Sequence, residues 1–220
     1  RKKLLTFYGA KLHEINKEQG GFLKCIELAD KKSSKNGFFG PKQFENTWNI
    51  MAHVNSTAPE LESTLKVNKL GNLDVFIAGM GTGGTVMGFY HYFSQKNNDF
   101  KVYPILPDKN EDGKHRIEGI GDSFIPKIVN LQTLSPVLRV NDSDAINIAR
   151  QINKLGLSVG ISSGANVFGA ILKAENLKAG SNVATILCDG NKKYLSTDLC
   201  SGTTEKLSRD IKILDYEIIS

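Results

Sequence analysis

At 220 residues, 40% hydrophobic and 23% charged, the chain is long enough to bury a substantial core in one large or two small domains. No run approaches the roughly 18 consecutive apolar residues of a membrane helix and no signal peptide is visible, so a cytoplasmic protein with no membrane partner is expected. The net charge of +5 comes from dispersed lysines, and the densest basic groups, residues 1–3 and 31–32, lack aromatic interleaving, which points to a solvated surface and away from nucleic acid.

Taken in chain order, an opening helix leads into a strand-like segment at 10–15, and helical spacing follows at 22–29 until Asn36-Gly37 breaks it. Residues 1–50 are expected to be the remainder of a smaller domain, and residues 51–220 a larger one. In the larger part a helix is predicted over 59–70, and strands near 73–79, 101–106, 136–140, 157–161 and 182–188 alternate with helices. Ser143 is the expected N-cap of a helix running to Lys154. This alternation predicts an α/β fold whose mostly parallel sheets carry helices on both faces. The tail from 201 is polar, with an apolar patch at 211–219 expected to pack at a subunit contact or add an edge strand. Cys25, Cys188 and Cys200 are scattered and read as reduced, and His13, His53, His91 and His115 have no metal-ligand spacing, so no metal is expected.

The chemistry concentrates where strands break. Residues 73–85 run from apolar strand into Gly79-Met-Gly-Thr-Gly-Gly-Thr85, and helical periodicity follows. Glycines let the backbone approach a ligand, first-turn N–H groups and the helix dipole favour an anion, and Thr82 and Thr85 add hydroxyl donors, so the turn reads as a phosphate cradle. Gly79, Gly81 and Gly84 also satisfy the dinucleotide fingerprint, but its acidic residue, Asp108, comes late and after a proline. The remaining alternative is a turn that merely lets strand and helix pack tightly. A second break, at 157–166, and a third, at 182–197, place further small polar residues at the carboxyl edge of a parallel sheet, where open α/β folds bind ligands.

Gly-Thr-Gly-Gly-Thr at 81–85, Gly-Ile-Gly-Asp-Ser-Phe-Ile-Pro at 119–126, Gly-Ile-Ser-Ser-Gly-Ala at 160–165 and Lys-Tyr-Leu-Ser-Thr at 193–197 resemble, in order, the cysteine synthase (O-acetylserine sulfhydrylase) family. Residues 1–10 and Gln43-Phe-Glu-Asn46 extend the likeness across the chain. The resemblance implies a two-domain pyridoxal 5'-phosphate enzyme of fold type II, a homodimer that acts on an amino acid and sulfide. It implies that Gly81, Thr82, Gly83, Gly84 and Thr85 hold the cofactor phosphate and that Ser162, in preference to Ser163, meets the pyridine nitrogen. It further implies that Gln43 contacts the substrate carboxylate beside Phe44, and that Gly119 and Gly121 line the substrate entrance. Ser162 as a plain helix cap and Gln43 as a surface amide are the bland alternatives. The chemistry implied is replacement of the β-substituent of an activated serine, by sulfide in the cysteine synthase case. Cystathionine β-synthase and cysteine desulfhydrase are the sister alternatives, and a non-catalytic binding module the third.

The family's Schiff-base lysine in Ser-x-Lys-Asp-Arg and its Thr-Ser-Gly-Asn-Thr-Gly loop occur nowhere in these 220 residues, so no lysine is nominated. A chain that opens on Arg1 is expected to be part of a longer protein whose upstream segment carries both. Three segments depart from the family pattern: Asn46-Thr-Trp-Asn49 replaces Asn-Pro-Ala-Asn, Ser56-Thr-Ala-Pro-Glu60 replaces Thr-Thr-Gly-Pro-Glu, and Leu106-Pro-Asp108 replaces Val-Glu-Pro. The 109–115 loop is short, and Asp122 and Ser123 put an extra carboxylate and hydroxyl near the expected entrance.

Overall fold

The computed structural model describes residues 2–108, 114–121, 124–201 and 207–219, so Asp122, Ser123 and most of the 109–115 loop lie outside the described residues. The chain divides into two units, Arg1–Gln43 and Phe44–Ser220. The smaller carries α1 (Lys2–Phe7) and α2 (Gly21–Ser33), neither with a fully buried residue. Residues 10–15 form no strand, contrary to their pattern. A strand needs a neighbour for its N–H and C=O groups, and the sheet of the described residues draws all its strands from the larger unit.

The larger unit begins with α3 (Trp48–Ala52), a π-helical turn (His53–Thr57) and α4 (Ala58–Val67), which run on without a break. Four parallel strands follow in the spatial order β3-β2-β1-β4: β1 (Val75–Gly79), β2 (Lys101–Pro107), β3 (Leu138–Val140) and β4 (Val183–Thr185). Val75 stands opposite Lys101 on one side and Val183 on the other, while Ile105 stands opposite Leu138. Pro104 is tolerated in central β2 because β3 joins only at Ile105, leaving no partner for the missing N–H.

Period-two alternation feeds two cores. Val75, Ile77 and Ile105 face one side, with α6 (Asp142–Lys154) and α7 (Ile161–Ala174) packed over them; Phe76, Ala78 and Val102 face the other, under α3, α4 and α5 (Gly84–Phe93). Phe76 stacks on Phe89 of α5 at 3.6 Å between ring centroids. Helices on both faces of a parallel sheet are therefore present as the alternation predicts.

Three local expectations change. Asn141, not Ser143, caps α6: its side chain accepts from the Asp144 N–H at 2.9 Å. Residues 157–160 form no strand, because the Asn153 carboxamide takes both the N–H and the C=O of Val159 and Gly160 donates to the Asp189 carbonyl. The described tail adds no edge strand either; Ile211 and Ile213 pack on the core under α6, where Gln151 bonds both their backbones. Buried Asp144 also accepts from the backbone and hydroxyl of Ser208. Among the described residues no helix is long and apolar enough to cross a membrane.

Behind α5, Glu62 of α4 accepts from Tyr92 at 2.9 Å and lies against Lys96 and Lys66. Lys96 leads in pulling the Glu62 carboxyl from 4.5 down to about 2, against the opposing effect of desolvation. A carboxyl depressed on folding stabilises above its unfolded pKa and loses that contribution as pH falls through the folded one. Glu62→Gln is expected to lower stability by about 0.5–1 kcal/mol at pH 7. In urea titrations its deficit should shrink as pH falls from 4.5 toward 2.

Candidate functional site

The strand order turns between β1 and β4: from β1 the chain moves outward through β2 and β3, then returns across the sheet to β4. In open α/β sheets the crevice at the carboxyl ends beside such a turn is where ligands bind. The first two broken segments of the sequence meet the third here. After β1 come residues 80–83 and the start of α5; after β4 come residues 186–190, against which the start of α7 is bonded.

On the β1 side the loop is drawn tight. The Met80 N–H bonds to the Ile105 carbonyl at 2.9 Å and the Gly121 N–H to the Met80 carbonyl at 3.2 Å. A Cβ on Gly81 would lie 2.3 Å from the Gly119 carbonyl, one on Gly83 2.0 Å from Val129 Cγ2, and one on Gly84 2.0 Å from Asn49 Oδ1. Gly83, at the N-cap of α5, also has φ +87°, which only glycine adopts cheaply. The glycines thus bring Gly119, Gly121 and the 124–129 segment against the cradle. Phe44 joins through the same segment: its carbonyl accepts from Ile128 at 3.4 Å and its ring meets the edge of Phe124 at 5.1 Å. Gln43 is the last residue of the smaller unit.

Both threonines of the cradle are half-buried and held from behind. Asn49 Nδ2 donates to Thr82 Oγ1 at 2.8 Å, and His53 Nε2 lies 3.2 Å from Thr85 Oγ1 while its Nδ1 lies 3.1 Å from Thr57 Oγ1. Burial pulls the His53 pKa below 6.5, so the ring is neutral at pH 7. Composition and spacing had left His53 as a bland polar residue and Asn49 as one member of a departed motif. The π-helical turn that carries His53 is a device often found at functional sites.

On the β4 side, Gly160 occupies the N-cap of α7, which removes a capping role from Ser162. Ser162 and Ser163 lie buried in the first turn. The Ser163 hydroxyl accepts from the Cys188 N–H at 2.9 Å, Asn166 Nδ2 donates to the Cys188 thiol at 3.5 Å, and the Ser162 hydroxyl acts to lower the thiol pKa. One turn on, fully buried Asn166 accepts from the Gly79 N–H at 2.8 Å and donates to the Ile186 carbonyl at 2.8 Å. No sequence motif singled out Asn166; a lone amide in an apolar helical run, four residues after Ser162, was the available signal. Asp189 accepts from Tyr194 through Oδ2 at 3.0 Å, while its buried Oδ1 has no hydrogen bond among the described residues and crowds the Gly160 Cα.

Cys188 is exposed on one side and crowded on the others. Burial pushes its thiol pKa above 9.0, the Ser162 hydrogen bond opposes that rise, and the Asp189 charge adds to it. An open groove of about 410 Å³ in the smaller unit, lined by His13, Cys25 and Lys31 among others, has neither the glycine-backed helix start nor paired hydroxyls, so the chemistry is assigned to the sheet edge.

A family model described as "Pyridoxal-phosphate dependent enzyme" matches residues 1–189. Cysteine synthase B of Campylobacter jejuni is 38% identical over 207 residues, covering 90% of this chain and 67% of that protein. A hydrogen sulfide-producing enzyme from Fusobacterium nucleatum superposes with a TM-score of 0.87 at 40% identity, over 94% of this chain and 64% of that one. An O-acetylserine dependent cystathionine beta-synthase from Helicobacter pylori gives a TM-score of 0.76 at 31% identity, over 89% of this chain and 65% of that one. The chain therefore spans 64–67% of the length of these relatives.

The thiol provides a direct probe of this edge. Alkylation of Cys188, followed by peptide mass spectrometry, is expected to rise with a midpoint above pH 9.0. Ser162→Ala should move that midpoint higher still, because the lost hydroxyl no longer stabilises the thiolate.

Proposed function

Since the chain belongs to the family of pyridoxal-phosphate dependent enzymes, we propose that the protein of which it forms part catalyses β-replacement on an activated serine, O-acetylserine and sulfide giving cysteine and acetate. The residues at the sheet edge suit the cofactor. A phosphate is acceptor-only and meets the α5 N-terminus, whose first N–H groups have no partner within the helix, together with the hydroxyls of Thr82 and Thr85. Gly81, Gly83 and Gly84 let the Gly119, Val129 and Asn49 segments close against the turn, and Ser162 supplies a hydroxyl for the pyridine nitrogen. When bound, the cofactor supplies an electron sink for charge developing at the substrate α-carbon.

The observation that carries the reading is Ser162. A neutral hydroxyl in the first turn of α7 donates to an unprotonated pyridine nitrogen, where a carboxylate would stabilise the protonated one, and the weaker sink suits elimination and replacement at Cβ over transamination. Ser163 accepts from the Cys188 N–H and keeps its own O–H to donate, so the preference for Ser162 rests on the family resemblance. Gln43 and Phe44 are proposed to orient the substrate carboxylate, with Gly119 and Gly121 leaving room at the entrance. The proton at the α-carbon is assigned to a lysine outside the motifs of this chain. A cytoplasmic homodimer belongs to the same proposal.

The named activities of the Fusobacterium and Helicobacter proteins favour a second reading, release of sulfide from cysteine or thioether formation on the same scaffold. The whole protein, supplied with O-acetylserine and either sulfide or homocysteine, separates the two by product mass. Cysteine is the expected main product; cystathionine alone, or sulfide release from cysteine with no synthesis, would replace the first reading by the second.

A further inference from the structure

The cradle threonines are ambidextrous groups: each hydroxyl donates once and accepts, and which it offers the ligand depends on what lies behind it. Behind Thr82 is the Asn49 amide, whose Nδ2 donates to Oγ1 at 2.8 Å. That oxygen receives a proton from behind, so its own O–H turns toward the cradle. Behind Thr85 is His53, neutral and bonded at both nitrogens. With the ring proton on Nε2, His53 donates to Thr85 and accepts from Thr57, and Thr85 turns its O–H outward. With the proton on Nδ1, Thr85 must donate to His53 and faces the ligand with lone pairs alone.

We propose that Asn49 and His53 are positioning residues that make Thr82 and Thr85 obligatory donors, so that the cradle accepts a dianionic phosphate and rejects ligands that must donate. Both come from the segment running through α3 into the π-helical turn, which places one of them behind each hydroxyl. Asn49 lies close against Gly84, where a Cβ would sit 2.0 Å from Oδ1, so only glycine leaves room for the amide there. The inference rests on the assignment of residues 81–85 to the cofactor phosphate.

The test uses the whole protein, stripped of and reconstituted with pyridoxal 5'-phosphate. Ring nitrogen NMR, with His53→Gln identifying the signal, should show His53 protonated on Nε2 when the cofactor is bound. In cofactor titrations, Asn49→Ala is expected to weaken binding about 10-fold, losing the backing donor, and Asn49→Asp about 100-fold, because the carboxylate captures the Thr82 proton. The Asn49→Asp loss is then measured again in a Thr82→Val background. A penalty that shrinks there belongs to the hydroxyl; one that persists in full is charge repulsion and overturns the proposal for Asn49. A bound-state ring proton on Nδ1 overturns it for His53, with the cradle assignment intact. Failure of the unsubstituted protein to bind cofactor at all would remove the cradle assignment and the relay together.

Discussion

Asn166 holds the site together. Its carboxamide joins the last N–H of β1 to the Ile186 carbonyl beyond β4, across the place where the strand order turns. Both groups are withdrawn from the sheet's ladder, and leaving either unpaired in the interior costs about 1–3 kcal/mol. One side chain, fully buried on α7, therefore ties the glycine-rich loop after β1 to the segment that follows β4. The two halves of the site then keep one geometry, as ligand pre-organisation requires.

That geometry is supported by the sheet's two-faced packing. Odd positions of β1 and β2 enter the core under α6 and α7, and even positions enter the core under α3, α4 and α5. The first face carries Ser162 and Asn166, and the second carries Asn49, His53 and the cradle helix. The glycines of residues 79–84 make the close approach possible, and the side chains they meet, from Ile120, Val129 and Asn49, come from three separate segments.

The strand, glycine turn and helix of residues 75–93 are legible in the sequence because their signals are local: an apolar strand, glycines at the break, then helical periodicity. The parallel sheet and the two helical layers follow from alternation in the same way. What escaped notice depends on distant partners. His53 meets Thr85 across 32 positions and Asn49 meets Thr82 across 33, so neither pattern shows in a local window. The strand expected at 157–161 failed for a related reason, since the side chain of Asn153 does the bonding that a neighbouring strand would do. The strand-like run at 10–15 has the right residue types, but no strand of the described residues lies in its unit to pair with it.

On the proposed function, the sheet edge holds a phosphorylated pyridine between the α5 and α7 starts. A crystal structure of the whole protein with pyridoxal 5'-phosphate bound tests it most directly. Phosphate oxygens are expected about 2.7–3.2 Å from the N–H groups and hydroxyls of residues 81–85, with the pyridine nitrogen at the same range from Ser162 Oγ. A phosphate seated elsewhere, or a pyridine nitrogen bonded to the Asp189 carboxylate, would contradict it.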